Sequence, residues 1–249
     1  EKVIEALEAK AEGFTGYEIR RVSTLEIYEA ALAELAELSR SEVEAKLADT
    51  RWPGARPTAE HDAYPEAIVP FGESWSNHEQ ARAWAREVLD GVPTVAVDGS
   101  QIAPTTDLSL PVGAVQIGWF VNPHAAGRDY IKSLSFEVLP PNELGDEGEG
   151  PEGFPDWRVN LRRFTGECER LVMWMERFRD AARKPVCFFD GSLILSFIQQ
   201  MRPERQREYL RAVTGLLAAS RATRVPLVGY IDTSLASDFI SMLISLTGR

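Results

Sequence analysis

The chain has 249 residues, 44% of them hydrophobic, and a formal net charge of −11. This length predicts one large domain, or one domain with an appendage, that buries a substantial core. No apolar run approaches the roughly 20 residues of a membrane-spanning helix, so we expect no membrane association. The acidity does not favour a protein that binds nucleic acid over its whole surface.

The positions of the cysteines and histidines argue against a disulfide framework, a zinc site and a catalytic histidine. The N-terminus opens as an amphipathic helix rather than a secretory leader. Cys168 and Cys187 form no disulfide framework, and we expect them to be buried free thiols in a reducing cytoplasm. The three histidines, His61, His78 and His124, are scattered along the chain. They have no ligand spacing for zinc and no partner that would make one of them catalytic.

The N-terminal part is predicted to be helical over residues 1–12 and about 22–48. In the second segment, leucines and a tyrosine recur at three- and four-residue steps, at Leu25, Tyr28, Leu32, Leu35 and Leu38. This stripe packs either on the main domain or against a second chain, and we favour a homodimer. Residues 50–76 are rich in Pro and aromatic residues and predict an extended connection. We therefore divide the chain into a helical extension with linker, 1–76, and a second domain, 77–249.

From residue 77 the pattern alternates between strands and helices. A helix to Leu89 precedes three strands, and then comes an acidic loop at 142–152. Helices and strands alternate after that loop. The predicted elements are strands Thr94–Asp98, Gly113–Val121 and Tyr130–Leu139, helix Trp157–Ala182, strand Val186–Asp190, helix Pro203–Arg221, strand 226–232 and a helix from Leu235. This order predicts an α/β fold with a mixed sheet flanked by helices.

Three of the predicted strands end on an aspartate beside a small hydroxyl residue. Asp98 follows three apolar residues and Asp190 follows four; both precede Gly-Ser, and Asp232 precedes Thr-Ser. Ligands of open α/β sheets bind at such strand ends. Converging carboxylates suit Mn²⁺ or Mg²⁺, which activate water and clamp the oxygens of a phosphodiester. The alternative is that each Asp caps the turn that follows it.

Further acids come from the helices that flank these strands. Glu167 borders the apolar stripe of helix 157–182 near the Asp190 end, so we prefer it as a ligand and keep Glu169 as the alternative. Asp238 lies in the first turn of the last helix, where the helix dipole alone would favour an acid.

Basic residues cluster on the helices and offer a local groove for phosphates, or else simply exposed helix faces. They are Arg158, Arg162, Arg163, Arg202, Arg205, Arg207, Arg211, Arg221 and Arg224.

The segments Val97-Asp98-Gly99-Ser100, Phe189-Asp190-Gly191-Ser192-Leu193 and Gly229–Ser234 with Ala236-Ser237-Asp238 resemble the NurA nuclease family over about 94–245. The resemblance implies an RNase H-like fold and manganese-dependent DNA cleavage, as a 5′-to-3′ exonuclease with endonuclease activity on single strands. It also implies a homodimer that works with the HerA hexameric ATPase in end resection at double-strand breaks. Asp98 and Asp190 match the family's metal-binding aspartates, Glu167 or Glu169 its helical glutamate, and Asp238 or Asp232 its later acid.

One departure from the family concerns the C-terminus. The resemblance implies a further segment that brings a histidine into the site, so we expect either a truncated sequence or an incomplete catalytic set. Two other functions stay open. An actin- or sugar-kinase-like phosphotransferase shares Asp-Gly-Ser turns but needs glycine-rich phosphate loops. A non-catalytic assembly module would use the same acids only as turn caps.

Overall fold

We describe the fold from a computed structural model. It describes residues 2–105, 107, 109–145, 156–231 and 237–248. The chain forms two compact units. Unit 1 comprises Glu1–Glu73 with Ser234–Arg249, and unit 2 comprises Ser74–Thr233. The last helix thus belongs to the unit of the N-terminal helices, whereas the sequence-based division at residue 76 had grouped it with the second domain.

Eight α-helices and five strands are seen in the described residues. In chain order they are α1 (Lys2–Glu8), α2 (Ala11–Ala36), α3 (Arg40–Lys46), α4 (His78–Leu89), β1 (Thr94–Ile102), β2 (Gly113–Asn122), β3 (Ile131–Leu139), α5 (Pro141–Leu144), α6 (Trp157–Arg177), β4 (Val186–Asp190), α7 (Pro203–Thr223), β5 (Leu227–Tyr230) and α8 (Asp238–Thr247), with 3₁₀ turns at Ala59–Asp62 and Ser196–Gln200.

Unit 1 is built where α8 packs on the second half of α2. Six buried apolar residues make its core, namely Ala31, Leu35, Val43, Leu47, Met242 and Leu243. The first half of α2 keeps its apolar residues exposed, as Phe14 (61%) and Tyr17 (63%) show. Burial of the α2 stripe is therefore confined to its C-terminal end.

The single helix predicted over 22–48 is wrong, because a capping box interrupts it. The Ser39 hydroxyl accepts a hydrogen bond from the Glu42 N–H, and the Ser39 N–H donates to Oε2 of Glu42 at 2.8 Å. These bonds satisfy backbone N–H groups that have no hydrogen-bond partner within the first turn of a helix. The chain therefore ends α2 at Ala36 and begins α3 at Arg40.

The sheet of unit 2 has the strand order β3-β2-β1-β4-β5. β2 runs antiparallel to both β1 and β3, whereas β4 is parallel to β1 and to β5. The mixed α/β architecture predicted from the sequence is confirmed. β1 lies at the centre of the sheet, between β2 and β4.

Helix α6 covers one face of this sheet. Its Phe164 ring contacts Phe189 of β4 edge-on at 5.7 Å and Tyr209 of α7 at 4.9 Å. Val95 and Val97 are buried on the same side, whereas Leu134 and Phe136 of β3 leave more than half of their surface exposed. The core thus fixes β1 and β4 against α6, which positions the acids that follow. None of the helices in the described ranges is both long and apolar enough to cross a membrane.

Candidate active site

Asp98 and Asp190 occupy matching positions on neighbouring parallel strands. The last pair in the β1–β4 ladder is Val97 with Phe189, both of them buried. Continuing this register by one residue sets Asp98 level with Asp190. Both aspartates are exposed and out of phase with the buried pair, so they share one face of the sheet. Neighbouring strands are about 4.8 Å apart, which puts the two side chains side by side.

The strand that carries Asp98 does not end there. The predicted boundary at Asp98 is wrong, because β1 continues to Ile102 through Gly99 and Ser100. β2 supplies the missing partners and pairs with every residue of β1 from Thr94 to Ile102. Asp98 therefore begins the part of β1 that pairs with β2 and no longer with β4.

Asp190, in contrast, ends its strand. Gly191 follows with φ +136°, a backbone conformation that side chains disfavour, and its N–H donates to the Tyr230 carbonyl at 2.8 Å. The Ser192 hydroxyl then accepts from the Ile194 N–H at 3.0 Å. Here the Asp-Gly-Ser sequence forms the turn that the sequence predicts.

Glu167 reaches β1 from helix α6. Its side chain is 3% exposed, and its carboxylate lies against the backbone of Gly99. Gly99 permits this approach because a Cβ there would lie 2.5 Å from Oε1 of Glu167 and 2.7 Å from Cγ of Arg163. A glycine in the strand after Asp98 is thus what admits a second carboxylate.

Burial raises the pKa of Glu167 from its ordinary 4.5 to about 7. The adjacent Arg163 guanidinium and the Gly99 N–H oppose this change in the pKa, and the negative charge of Asp98 adds to it. The two carboxylates therefore lie within electrostatic reach of each other. A buried acid next to another acid needs a compensating positive charge.

Arg163 supplies that charge in this structure. Its Nη1 donates to Oε1 of Glu167 at 2.5 Å, and its Nε donates to Oε1 of Gln101 at 3.0 Å. Gln101 in turn donates from Nε2 to Oδ1 of Asn160 at 2.7 Å. In the sequence, Arg163 is only one of many basic residues. Its i, i+4 spacing from Glu167 was the available signal, whereas nothing in the sequence marks Gln101.

Two of the remaining predicted acids have other contacts in the structure. Glu169 forms an exposed ion pair with Arg162 at 3.1 Å. Asp238 begins α8 in unit 1, where its carbonyl accepts from the Ala55 N–H at 2.9 Å. Asp232 lies outside the described residues, as does most of the acidic loop.

His61 and His124 have structural partners within the described chain. Nε2 of buried His61 lies 2.8 Å from the Leu38 carbonyl, and Nε2 of His124 lies 3.0 Å from the Thr94 hydroxyl. His78 begins α4. That no histidine of this sequence is catalytic stays a prediction.

Two of the predicted basic residues stack on one aromatic ring. The guanidinium of Arg158 lies 4.7 Å from the centre of the Trp157 ring, and that of Arg205 lies 4.1 Å from it. Arg205 also lies within electrostatic reach of Tyr209, as does Arg163. Positive charge therefore extends from Arg163 towards the start of α6 and α7.

The predicted metal site can be compared with the acids that the structure describes. Among the described residues, no group of three or more His, Cys, Asp or Glu side chains is disposed to hold a metal ion. Asp98 and Glu167 both offer oxygen ligands, which hard divalent cations accept, and the charge of Asp98 contributes to the raised pKa of Glu167. A metal centre formed by these acids stays a prediction.

The region that contains β1, α6 and β4 also matches a known protein family. A search of curated proteins gave no match. A family model described as the NurA domain matches residues 92–247, which include β1, α6, β4 and their acids. The match covers well over half of the chain, and the chain belongs to the NurA family.

Proposed function

We propose that this protein is a divalent-metal-dependent DNA nuclease, a 5′-to-3′ exonuclease with endonuclease activity on single strands. Membership of the NurA family indicates a nuclease-related role. The observation that carries the finer proposal is the buried Glu167 carboxylate on the backbone of Gly99, next to Asp98. Core packing alone gives no reason to bury an acid beside another acid.

The fold that we propose is RNase H-like. The order β3-β2-β1-β4-β5, with β2 as the antiparallel strand, supports this assignment. The acids on β1, β4 and α6 support it too, since the central strand, its parallel neighbour and the covering helix each contribute one carboxylate.

The ion that we propose is Mn²⁺, with Mg²⁺ as the possible substitute. Asp98, Glu167 and Asp190 would hold it, with Asp232 or Asp238 as further ligands and Glu169 as the alternative to Glu167. When bound, such an ion activates water and neutralises charge on the phosphodiester. The protein's own part is to keep the carboxylates fixed on rigid strands and a helix, where β1 extends past its pairing with β4.

A manganese titration with a 5′-labelled single-stranded DNA tests this proposal. We expect cleavage that depends on Mn²⁺, is lost with a chelator and releases short products from the labelled end. The same titration on a version extended at the C-terminus tests whether a further segment is needed. No cleavage by either version with Mn²⁺ or Mg²⁺ would contradict the proposal.

A second candidate is a non-catalytic assembly module of DNA repair. It is favoured by the ion pair of Glu167 with Arg163, which satisfies the buried carboxylate without any metal. Mn²⁺ binding measured by calorimetry separates the two functions. The nuclease binds Mn²⁺ and loses that binding in Asp190→Asn while staying folded, whereas the module binds none.

The partners that we propose are DNA, a HerA-type hexameric ATPase in end resection and a second copy of this chain. Exposed apolar residues of α1 and α2 support self-association, among them Val3, Leu7, Phe14, Tyr17 and Leu25. Residues 2–25 carry four basic and four acidic side chains, so a second copy meets no net repulsion there. We also propose a cytoplasmic location, which the two buried free thiols support.

A further inference from the structure

We infer that Arg163 binds a phosphate group of the nucleic-acid strand beside Glu167. This inference rests on the proposed function, since it names the group that positions the substrate at the same site. Arg163 is 32% exposed, whereas the carboxylate that it contacts is 3% exposed. The guanidinium therefore lies between the buried acid and the solvent, where a substrate would approach.

The position of Arg163 does not depend on Glu167 alone. Its Nε donates to Gln101, and Gln101 is itself held by Asn160 on α6. If Arg163 served only to neutralise Glu167, the bond from Nη1 would suffice. The second anchor keeps the guanidinium at the edge of β1 whichever cation balances the charge of Glu167.

The guanidinium also has donors to spare. Arginine carries five N–H groups in a planar fork that matches a phosphate. Within the described residues, Arg163 uses Nε and Nη1, and Nη2 has no partner there. In a protein of net charge −11, a phosphodiester next to Asp98 and Glu167 needs a fixed cation close by. Arg163 is a cation in direct contact with Glu167.

The test measures DNA binding without cleavage. The background is Glu167→Gln in chelator-containing buffer, because the new amide still accepts a hydrogen bond and leaves no buried charge unpaired when Arg163 is changed. A fluorescein-labelled single-stranded oligonucleotide is titrated by anisotropy over a range of salt concentrations. Arg163→Gln in this background is compared with Arg211→Gln, since Arg211 is 75% exposed and pairs with Glu208 on the outer side of α7.

We expect Arg163→Gln to weaken binding about 10-fold and to reduce the slope of log affinity against log salt by about 0.7, as the loss of one contact to a single strand does. Arg163→Lys should restore the slope but only part of the affinity, and Arg211→Gln should match the background. Equal affinity and slope for Arg163→Gln and Arg211→Gln would overturn this inference while leaving the proposed function intact. If the background protein binds no DNA at any salt concentration, the inference and the proposed function both fail.

Discussion

The two Asp-Gly-Ser segments have the same sequence and different structures. At Asp98-Gly99-Ser100 the strand continues, and the glycine is needed because Glu167 and Arg163 occupy the space of its side chain. At Asp190-Gly191-Ser192 the strand ends, and the glycine is needed because of its φ of +136°. A repeated tripeptide therefore does not imply a repeated role. The segment at Asp98 leaves space for the Glu167 carboxylate of α6, and the segment at Asp190 forms a turn at the end of β4.

The aspartates should behave alike despite these differences. We expect Asp98→Asn and Asp190→Asn each to reduce manganese-dependent cleavage by at least about 100-fold, since each removes a positioned charged group from the site. Both side chains are exposed, so the melting temperature should stay within about 3 °C of wild type. Asp180→Asn, at an exposed position after α6, is the control and should cleave normally. Near-normal cleavage by either site variant would remove that residue from the site.

Glu167, which contacts the β1 segment, should make the stability of the protein depend on pH. Its pKa is raised in the folded protein from 4.5 to about 7, so between these values the folded state keeps a proton that the unfolded state has released. The free energy of unfolding should therefore fall as pH rises through this range, by at most about 3 kcal/mol. Urea unfolding of the metal-free protein at several pH values measures this slope. Glu167→Gln should flatten it, and an equal slope in both proteins would contradict the raised pKa.

The glycines should differ in what their replacement disturbs. In Gly99→Ala the new methyl group displaces the Glu167 carboxylate, which costs about 1–3 kcal/mol of stability and lowers cleavage by the folded protein. In Gly191→Ala the nearest side-chain atom, Cε1 of Phe189, is 3.5 Å away, so the cost of similar size comes from backbone strain alone. Cleavage rates corrected for the folded fraction separate the two cases. Equal loss of corrected activity in both variants would show that the segments share one role after all.

The serines give the smallest contrast. Ser192 accepts a hydrogen bond from Ile194 within the turn, so Ser192→Ala should lower the free energy of unfolding by about 1 kcal/mol. Ser100 lies on the exposed face of β1, and Ser100→Ala should change the same quantity by less than about 0.5 kcal/mol. Chemical denaturation resolves this difference. A larger effect at Ser100 would indicate that its hydroxyl has a partner of its own in solution.

Local sequence predicted much of this molecule and missed what depends on distant partners. The order of strands and helices in unit 2 follows from apolar runs and their periods, and the structure confirms it. The extent of β1 beyond Asp98 could not be predicted, because β2 supplies the pairing that overrides the turn preference of Gly-Ser. The break between α2 and α3, in contrast, was readable from the Ser39-to-Glu42 spacing.

The candidate site was predictable in part for the same reason. Asp98 and Asp190 stand out because each follows an apolar run, and their level register follows from the parallel ladder. The environment of Glu167 could not be predicted, since Gly99, Arg163 and Gln101 come from a strand and a helix about 60 residues apart in sequence. The raised pKa depends on that tertiary packing and on no local pattern.

The position of α8 has a practical consequence for shortened versions of the protein. The family match ends at residue 247 and so takes in this helix, yet Met242 and Leu243 complete the small core formed by Ala31 and Leu35. A fragment limited to the matched region would expose the side chains of Met242 and Leu243 to solvent, and we expect it to aggregate. A usable minimal fragment has to retain the first helices together with the last one.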